Sequence, residues 1–259
     1  FFNKNYKINY NLVSKIKSHK TSDTIFIFGS GESINELDSL NLKKIFNHDT
    51  FGFNQAYYSS LPFKFYAFEA IEKSDILKDI NQFNNIYFKN FFKYFDNNKN
   101  LKLIVVKDPK LKFLDLYKFF KNLNRSFIYK SFIEIPADTI EEIESYYDMI
   151  LQIEKIFPIS LQLRFLEKKR SSLIAYLDLF RRAGYKSIQF VGVDLKNSKY
   201  FFQSDNYNYP NLYQQIPQSQ PDNRIHKTEN KKYGSLIFSE ILNSYKKKYD
   251  IEIEFFNRK

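Results

Sequence analysis

A chain of 259 residues fits one large α/β domain, or one domain with a small appendage, and its 43% apolar and 19% aromatic content argues against disorder. The net charge of +11 favours a polyanionic partner (nucleic acid, an anionic lipid surface or a phosphorylated sugar), against the plainer reading of a scattered, solvated lysine surface. Cysteine is absent, which excludes disulfides and thiolate metal sites, and there is no uninterrupted apolar run of about 18 residues to span a membrane.

Lysine, asparagine, isoleucine, phenylalanine and tyrosine are abundant while alanine and glycine are scarce. That is the pattern of AT-rich coding, so the aromatic count carries no functional weight. Residues 1–23 are polar and basic, with Leu12, Val13 and Ile16 spaced as helical anchors, and read as a peripheral arm. The chain opens on Phe1-Phe2 without a Met, so a flanking anchor or domain is left open, and no signal peptide is visible.

From residue 24 the pattern alternates in the α/β manner. A strand over 25–28 ends in Gly29-Ser30-Gly31, and Ser33 with Glu36 reads as a capping box that starts a helix over 34–46. Strands follow over 50–53, ending at Asn54-Gln55, and over 64–68, ending at Glu69. A helix is expected over 70–82, strands over 86–88 and 101–106, a helix over 111–123 and a strand over 126–129. Asp138 with Glu141 is a further capping-box start, for a helix to about 156. Leu173, Ile174, Leu177 and Phe180 mark a helix over 171–183 closed by Gly184, and the apolar run 187–191 reads as a central parallel strand ending in Gly192-Val193-Asp194. Residues 196–228, rich in Asn, Gln, Tyr, Pro and Ser, form a long loop of the lid or binding kind. A helix over 234–248 and an edge strand over 251–255 complete the chain. The predicted fold is thus α/β with a parallel-rich sheet: a nucleotide-binding domain over 24–195 plus 229–259, and a lid or acceptor loop over 196–228.

The most informative stretch is the glycine turn. A strand, a Gly-Ser-Gly turn and a helix start make an anion cradle of backbone N–H groups, and two of only six glycines lie there. This points to a nucleotide phosphate; a purely structural turn is the plainer alternative. The match to a dinucleotide fingerprint is partial, because Ile34 replaces its third glycine and Asn54 stands where an acidic residue would hold a ribose diol. No Gly-Lys-Ser/Thr follows, which excludes a P-loop. Ligands of parallel sheets sit over the carboxyl ends of the strands, where Gly29, Ser30, Gly31, Asn54, Gln55, Glu69, Gly192 and Asp194 all fall. His226 stands where the long loop meets the last helix, beside Arg224 and Lys227, and is the candidate general base; it is otherwise an incidental loop histidine. His19 and His48 read as solvated. No Asp-x-Asp motif, His/carboxylate cluster or Gly-x-Ser-x-Gly elbow is found, so neither a metal site nor a serine hydrolase is indicated.

Taken together, 26–34 (Phe-Ile-Phe-Gly-Ser-Gly-Glu-Ser-Ile) and 51–55 (Phe-Gly-Phe-Asn-Gln) resemble the first two motifs of the bacterial sialyltransferases of glycosyltransferase family 42. Lys169-Arg170-Ser171-Ser172, the helix after it, and Val191-Gly192-Val193-Asp194 resemble that family's third block, and His226-Lys227-Thr228 resembles its catalytic histidine motif. The resemblance covers roughly 24–69 and 169–256. It implies a GT-A-like, single Rossmann-type domain with a small lid. It implies transfer of sialic acid or a related 2-keto sugar acid from a CMP-sugar, with inversion and without metal, to a glycan or lipooligosaccharide hydroxyl. The CMP-sugar is the donor substrate and no cofactor is expected. By the same resemblance Ser30 and Gly31 approach the CMP phosphate and ribose, and Ser33, Asn54, Gln55 and Glu69 face the nucleotide-sugar. Ser171 and Ser172 face the sugar carboxylate or phosphate, His226 deprotonates the acceptor, and Tyr200 in the lid hydrogen-bonds the departing phosphate. A cytoplasmic enzyme peripheral to the inner membrane is implied, with homo-oligomerisation left open.

The family carries Asn where this chain has Ser30, Pro where it has Glu32 and Asn where it has Glu69, and its lid tyrosine two residues after Asp194 is replaced by Lys196. A lysine there can neutralise the leaving phosphate electrostatically. Two other classes stay open: an enzyme like the motility-accessory glycosyltransferases or pterin pyrophosphokinases, and a basic polyanion-binding module.

Overall fold

The computed structural model describes residues 12–70, 86–107, 126–130, 132–156, 166–169, 171–195, 200–204 and 235–256. Strands β1 (Thr24–Phe28), β2 (Asp49–Phe53), β3 (Phe65–Ala70), β4 (Lys102–Lys107) and β5 (Ser126–Lys130) step outward in one direction. A separate pair, β6 (Phe132–Glu134) and β7 (Leu166–Lys168), lies apart, and β8 (Ser187–Val191) and β9 (Glu252–Phe255) flank β1 on its other side. The main sheet has seven strands in the order β5-β4-β3-β2-β1-β8-β9, and every pairing is parallel. The fold is α/β and Rossmann-like.

Both faces of this sheet are covered, which is why its central strands read as continuous apolar runs. Alternation along β1 divides the core: Ile25 and Ile27 join one cluster, Phe26 and Phe28 the other. On the first face pack α1 (Leu12–His19), α4 (Ile140–Ile156), α5 (Ser172–Arg182) and α6 (Phe238–Lys248); on the second, α2 (Ser39–Phe46) and α3 (Ile86–Asn97).

Several sequence expectations are corrected. The segment 12–19 is not a peripheral arm, because Leu12, Val13 and Ile16 are all under 5% exposed in the first core cluster. The helix expected over 34–46 is divided: a 3-10 turn spans Glu32–Glu36, and the α-helix begins at Ser39, where Asp38 accepts from the Asn41 amide. The strand expected over 86–88 is the first turn of α3. Its aromatic run resembles a strand in composition, yet the buried positions 91, 94 and 95 recur at helical spacing. At α4 the capping box lies one residue later, between Thr139 and Glu142. β3 runs through Glu69 to Ala70, and α6 starts at Phe238, four residues after its expected start. The β6–β7 pair has no counterpart in the sequence reading. Ala70, expected to open a helix over 70–82, ends β3 instead; the rest of that helix, the helix expected over 111–123 and most of the 196–228 loop lie outside the described residues.

α5 closes as the sequence foretold. Gly184, at φ 87, donates to Arg181 O, and Tyr185 N donates to Phe180 O, the paired bonds of a Schellman cap. The same helix carries a largely buried charge cluster. The Arg181 guanidinium donates to Glu154 on α4, to Asp178 one turn back and to the Tyr245 hydroxyl on α6. Arg182 donates to Asp178. Burial raises the Asp178 carboxyl, but Arg182 and Arg181 outweigh it and hold it below the ordinary range.

A second anchor lies at the amino ends of the strands. Asp49, 1% exposed, accepts from the Thr21 amide (2.9 Å), the Lys64 ammonium (2.6 Å) and the Tyr185 hydroxyl (2.6 Å). Burial pushes this carboxyl up, but the bonds from Lys64, Thr21 and Tyr185 prevail and hold it below its ordinary value near 3.8. A carboxylate depressed by folding stabilises fully above its unfolded value, and the contribution is lost as pH falls through the lower folded one. Asp49→Asn is therefore expected to cost about 1–3 kcal/mol at neutral pH and to flatten the acid limb. Urea unfolding of both proteins from pH 7 to pH 2 checks this: parallel loss of stability below pH 4 would remove Asp49 from the acid response.

Candidate functional site

The strand order reverses between β1 and β8, since β2 to β5 step one way and β8 and β9 the other. In open parallel sheets this switch point, outside the carboxyl ends, is where a ligand crevice opens. Here the turns after β1 and β8 are joined backbone to backbone: Gly29 N donates to Val191 O and Gly31 N to Gly192 O, both at 2.8 Å. A Cβ on Gly29 would overlap Gly192 O, and one on Gly31 would overlap the Asp194 carboxylate. The glycines read from the sequence as an approach to a ligand are thus required by the neighbouring turn itself.

Asp194 also alters the expected anion cradle. Its carboxylate accepts from the Ser33 amide at 2.8 Å and from the Ser33 hydroxyl. Ser33 is therefore no helix cap; the 3-10 turn has Gly31 at its N-cap position and no side-chain cap. The cap was sought locally, and a carboxylate 161 residues away claimed the hydroxyl instead.

Segment 200–204 docks on the same turn. Gly31 and Tyr200 form an antiparallel bridge, Phe201 N donates to Ser30 O, and Asn35 donates to Phe201 O. The Tyr200 ring stacks on Phe202 at 5.2 Å. At the end of β2, Asn54 adopts the left-handed conformation at φ 53, its carbonyl held by the Tyr66 hydroxyl at 2.6 Å and its side chain exposed. Ser171 caps α5 by accepting from the Leu173 amide.

These parts enclose a cleft of ≈ 170 Å³. It brings together Gly29, Ser30, Gly31, Asn54, Ser171, Gly192 and Asp194, all singled out from the sequence, with Phe53, Leu173, Val193, Leu195 and Phe238 as apolar wall. The sequence reading gave no site role to Phe53, Leu173 or Phe238. Their only signal was position, at a strand end and two helix starts. Asp194 is the one ionisable side chain among these lining residues. Ser33, Gln55, Ser172 and Tyr200 are attached to the same loops without lining the cleft. The Gln55 Oε1 is buried without a hydrogen-bond partner among the described residues. Glu69 lies near the carboxyl end of β3, its side chain outside what is described, and Lys196 and His226 lie outside the described residues. The volume is below the about 300–1,000 Å³ of sites that enclose a whole small molecule, so these walls suit one portion of a larger ligand.

The other two histidines are half-buried, where the sequence suggested solvation. His48 Nδ1 lies 2.9 Å from Ser22 Oγ and its ring packs near Phe26. His19 is held below its ordinary value, first by burial and then by Lys102, Lys64 and Lys15. Among the described residues no group of three or more His, Asp or Glu is placed to hold a metal ion, and no helix is long and apolar enough to cross a membrane.

No protein-family model matches the sequence, and the search of curated proteins finds no match.

The packing of the two turns is measurable. Gly31→Ala should cost about 1–3 kcal/mol, because its methyl meets Asp194. Asp194→Ala should relieve most of that overlap, giving a favourable coupling of at least about 0.5 kcal/mol in a double-mutant cycle. Strict additivity of the two unfolding free energies would show that the turns do not press on one another.

Proposed function

We propose that this chain is an inverting, metal-independent glycosyltransferase that moves sialic acid or a related 2-keto sugar acid from a CMP-sugar to the hydroxyl of a glycan or lipooligosaccharide. The observation that carries this reading is convergence. Three separate motif segments, at 29–31, 54 and 171–194, contribute to one cleft at the switch point of a Rossmann-like sheet. Those are the segments by which the sequence resembles the family 42 sialyltransferases. The bridge between Gly31 and Tyr200 adds support, because it ties the start of the long loop to the donor side of the cleft.

In this reaction the acceptor oxygen attacks the anomeric carbon of the keto sugar as the bond to the CMP phosphate breaks. His226 takes the acceptor proton, and CMP departs with the bonding electrons. Charge grows on the leaving phosphate, where Lys196 and the Tyr200 hydroxyl are assigned to stabilise it. Closure of the loop excludes water, which would otherwise hydrolyse the donor. The net charge of +11 suits an anionic donor and an anionic, membrane-attached acceptor on the cytoplasmic face.

Two measurements test the reading. CMP in the presence of EDTA should raise the folding stability by about 2.7 kcal/mol at 100 times its Kd, while UMP, GMP and AMP at equal concentration should raise it less. A shift seen only with Mg²⁺ and another base would favour the pyrophosphokinase-like class. His226→Ala should keep that CMP-induced shift yet lose about 10²–10⁴-fold in transfer from CMP-sialic acid or CMP-Kdo; full transfer by the variant would remove His226 as the base.

A further inference from the structure

Rossmann-type sites hold the ribose diol with an acid at the end of the second strand. That place is occupied here by Asn54. An acid nevertheless stands at the switch point, supplied from the other side of β1. Asp194 follows β8, lines the cleft, and sits so close over Gly31 that a methyl there would strike its carboxylate. A carboxylate has about four acceptor positions. Ser33 takes two of them through its amide and hydroxyl, which fixes the group firmly and leaves acceptor capacity on a cleft-lining side chain.

The same arrangement makes the turn a poor seat for phosphate. The amide and hydroxyl of Ser33, donors an anion would use, are already bonded to Asp194. Gly29 N and Gly31 N are bonded to β8 and its turn. An anion over Gly31 would face the Asp194 carboxylate, with no cation among the described lining residues beside it. The ligand chemistry that suits this wall is a neutral group donating two adjacent hydrogen bonds.

We propose that Asp194 is a specificity-determining acceptor for the vicinal diol of the nucleotide's ribose, so that the glycine turn faces the ribose and the phosphate lies elsewhere in the cleft. This rests on the nucleotide-sugar reading above. The acid of the dinucleotide fingerprint has not been lost; its role has passed from the end of β2 to the end of β8.

The test compares CMP with 2′,3′-dideoxy-CMP by titration calorimetry on the wild-type chain, on Asp194→Asn and on Ser33→Ala. Wild type should bind CMP at least about tenfold more tightly than the dideoxy compound, the scale of a charge-assisted hydrogen bond. Asp194→Asn should bring the ratio close to one by weakening CMP alone. Ser33→Ala, which frees the carboxylate to turn, should reduce the ratio partially. Equal affinity of wild type for both compounds overturns the assignment while leaving the CMP reading intact, and needs no variant to fold. Failure of CMP itself to bind overturns the nucleotide reading and this inference with it. An unchanged ratio in Asp194→Asn assigns the diol to another acceptor.

Discussion

Everything at the carboxyl end of this sheet depends on how closely the turn after β1 can lie against the turn after β8. The two are joined by amide-to-carbonyl bonds with no room for a side chain between them. Glycine at 29 and 31 meets that steric demand, while Gly192, at φ 63, also supplies a conformation that other residues adopt at a cost. With the turns fixed, Asp194 falls onto Ser33, the 3-10 segment Glu32–Glu36 is set, and residues 200–204 find a ledge on which to dock. The cleft is the space left over when these backbones have been packed.

The two poles of the sheet do different work. At the amino ends, Asp49 gathers Thr21, Lys64 and Tyr185 into a buried knot that binds the approach to β1 to the start of β2 and the end of α5. At the carboxyl ends the polar groups line a cavity and keep acceptor capacity in reserve. This is the division between scaffold and site expected of open parallel sheets, where loops at one end carry chemistry and the other end carries stability.

The strands of the main sheet, the glycine turn and the closing cap of α5 were legible in the sequence because each is decided locally, by an apolar run, a turn residue or a Gly at C′. What escaped was decided at a distance. Ser33 looks like a cap only while Asp194 is out of view. The aromatic run that opens α3 has strand composition, and its helical spacing shows only once the buried set of Phe91, Tyr94 and Phe95 is known. α1 looked like an arm because three apolar residues in a basic stretch give no hint that a core awaits them. Within the site, the polar and glycine positions were readable from their place after strands. The apolar walls Leu173 and Phe238 resembled any other core residue.

The position of β8 has a consequence for how the protein is made. The partner of β1 on one side, β2, follows closely in the chain, but the partner on its other side begins only at Ser187, aligned with Thr24. At about 5–20 residues per second that interval is on the order of ten seconds. A β1 strand formed within that interval would present an open, apolar edge of the kind that recruits foreign strands. The cleft cannot exist until the edge is sealed, so a chain interrupted before β8 carries both the hazard of an exposed edge and no site at all.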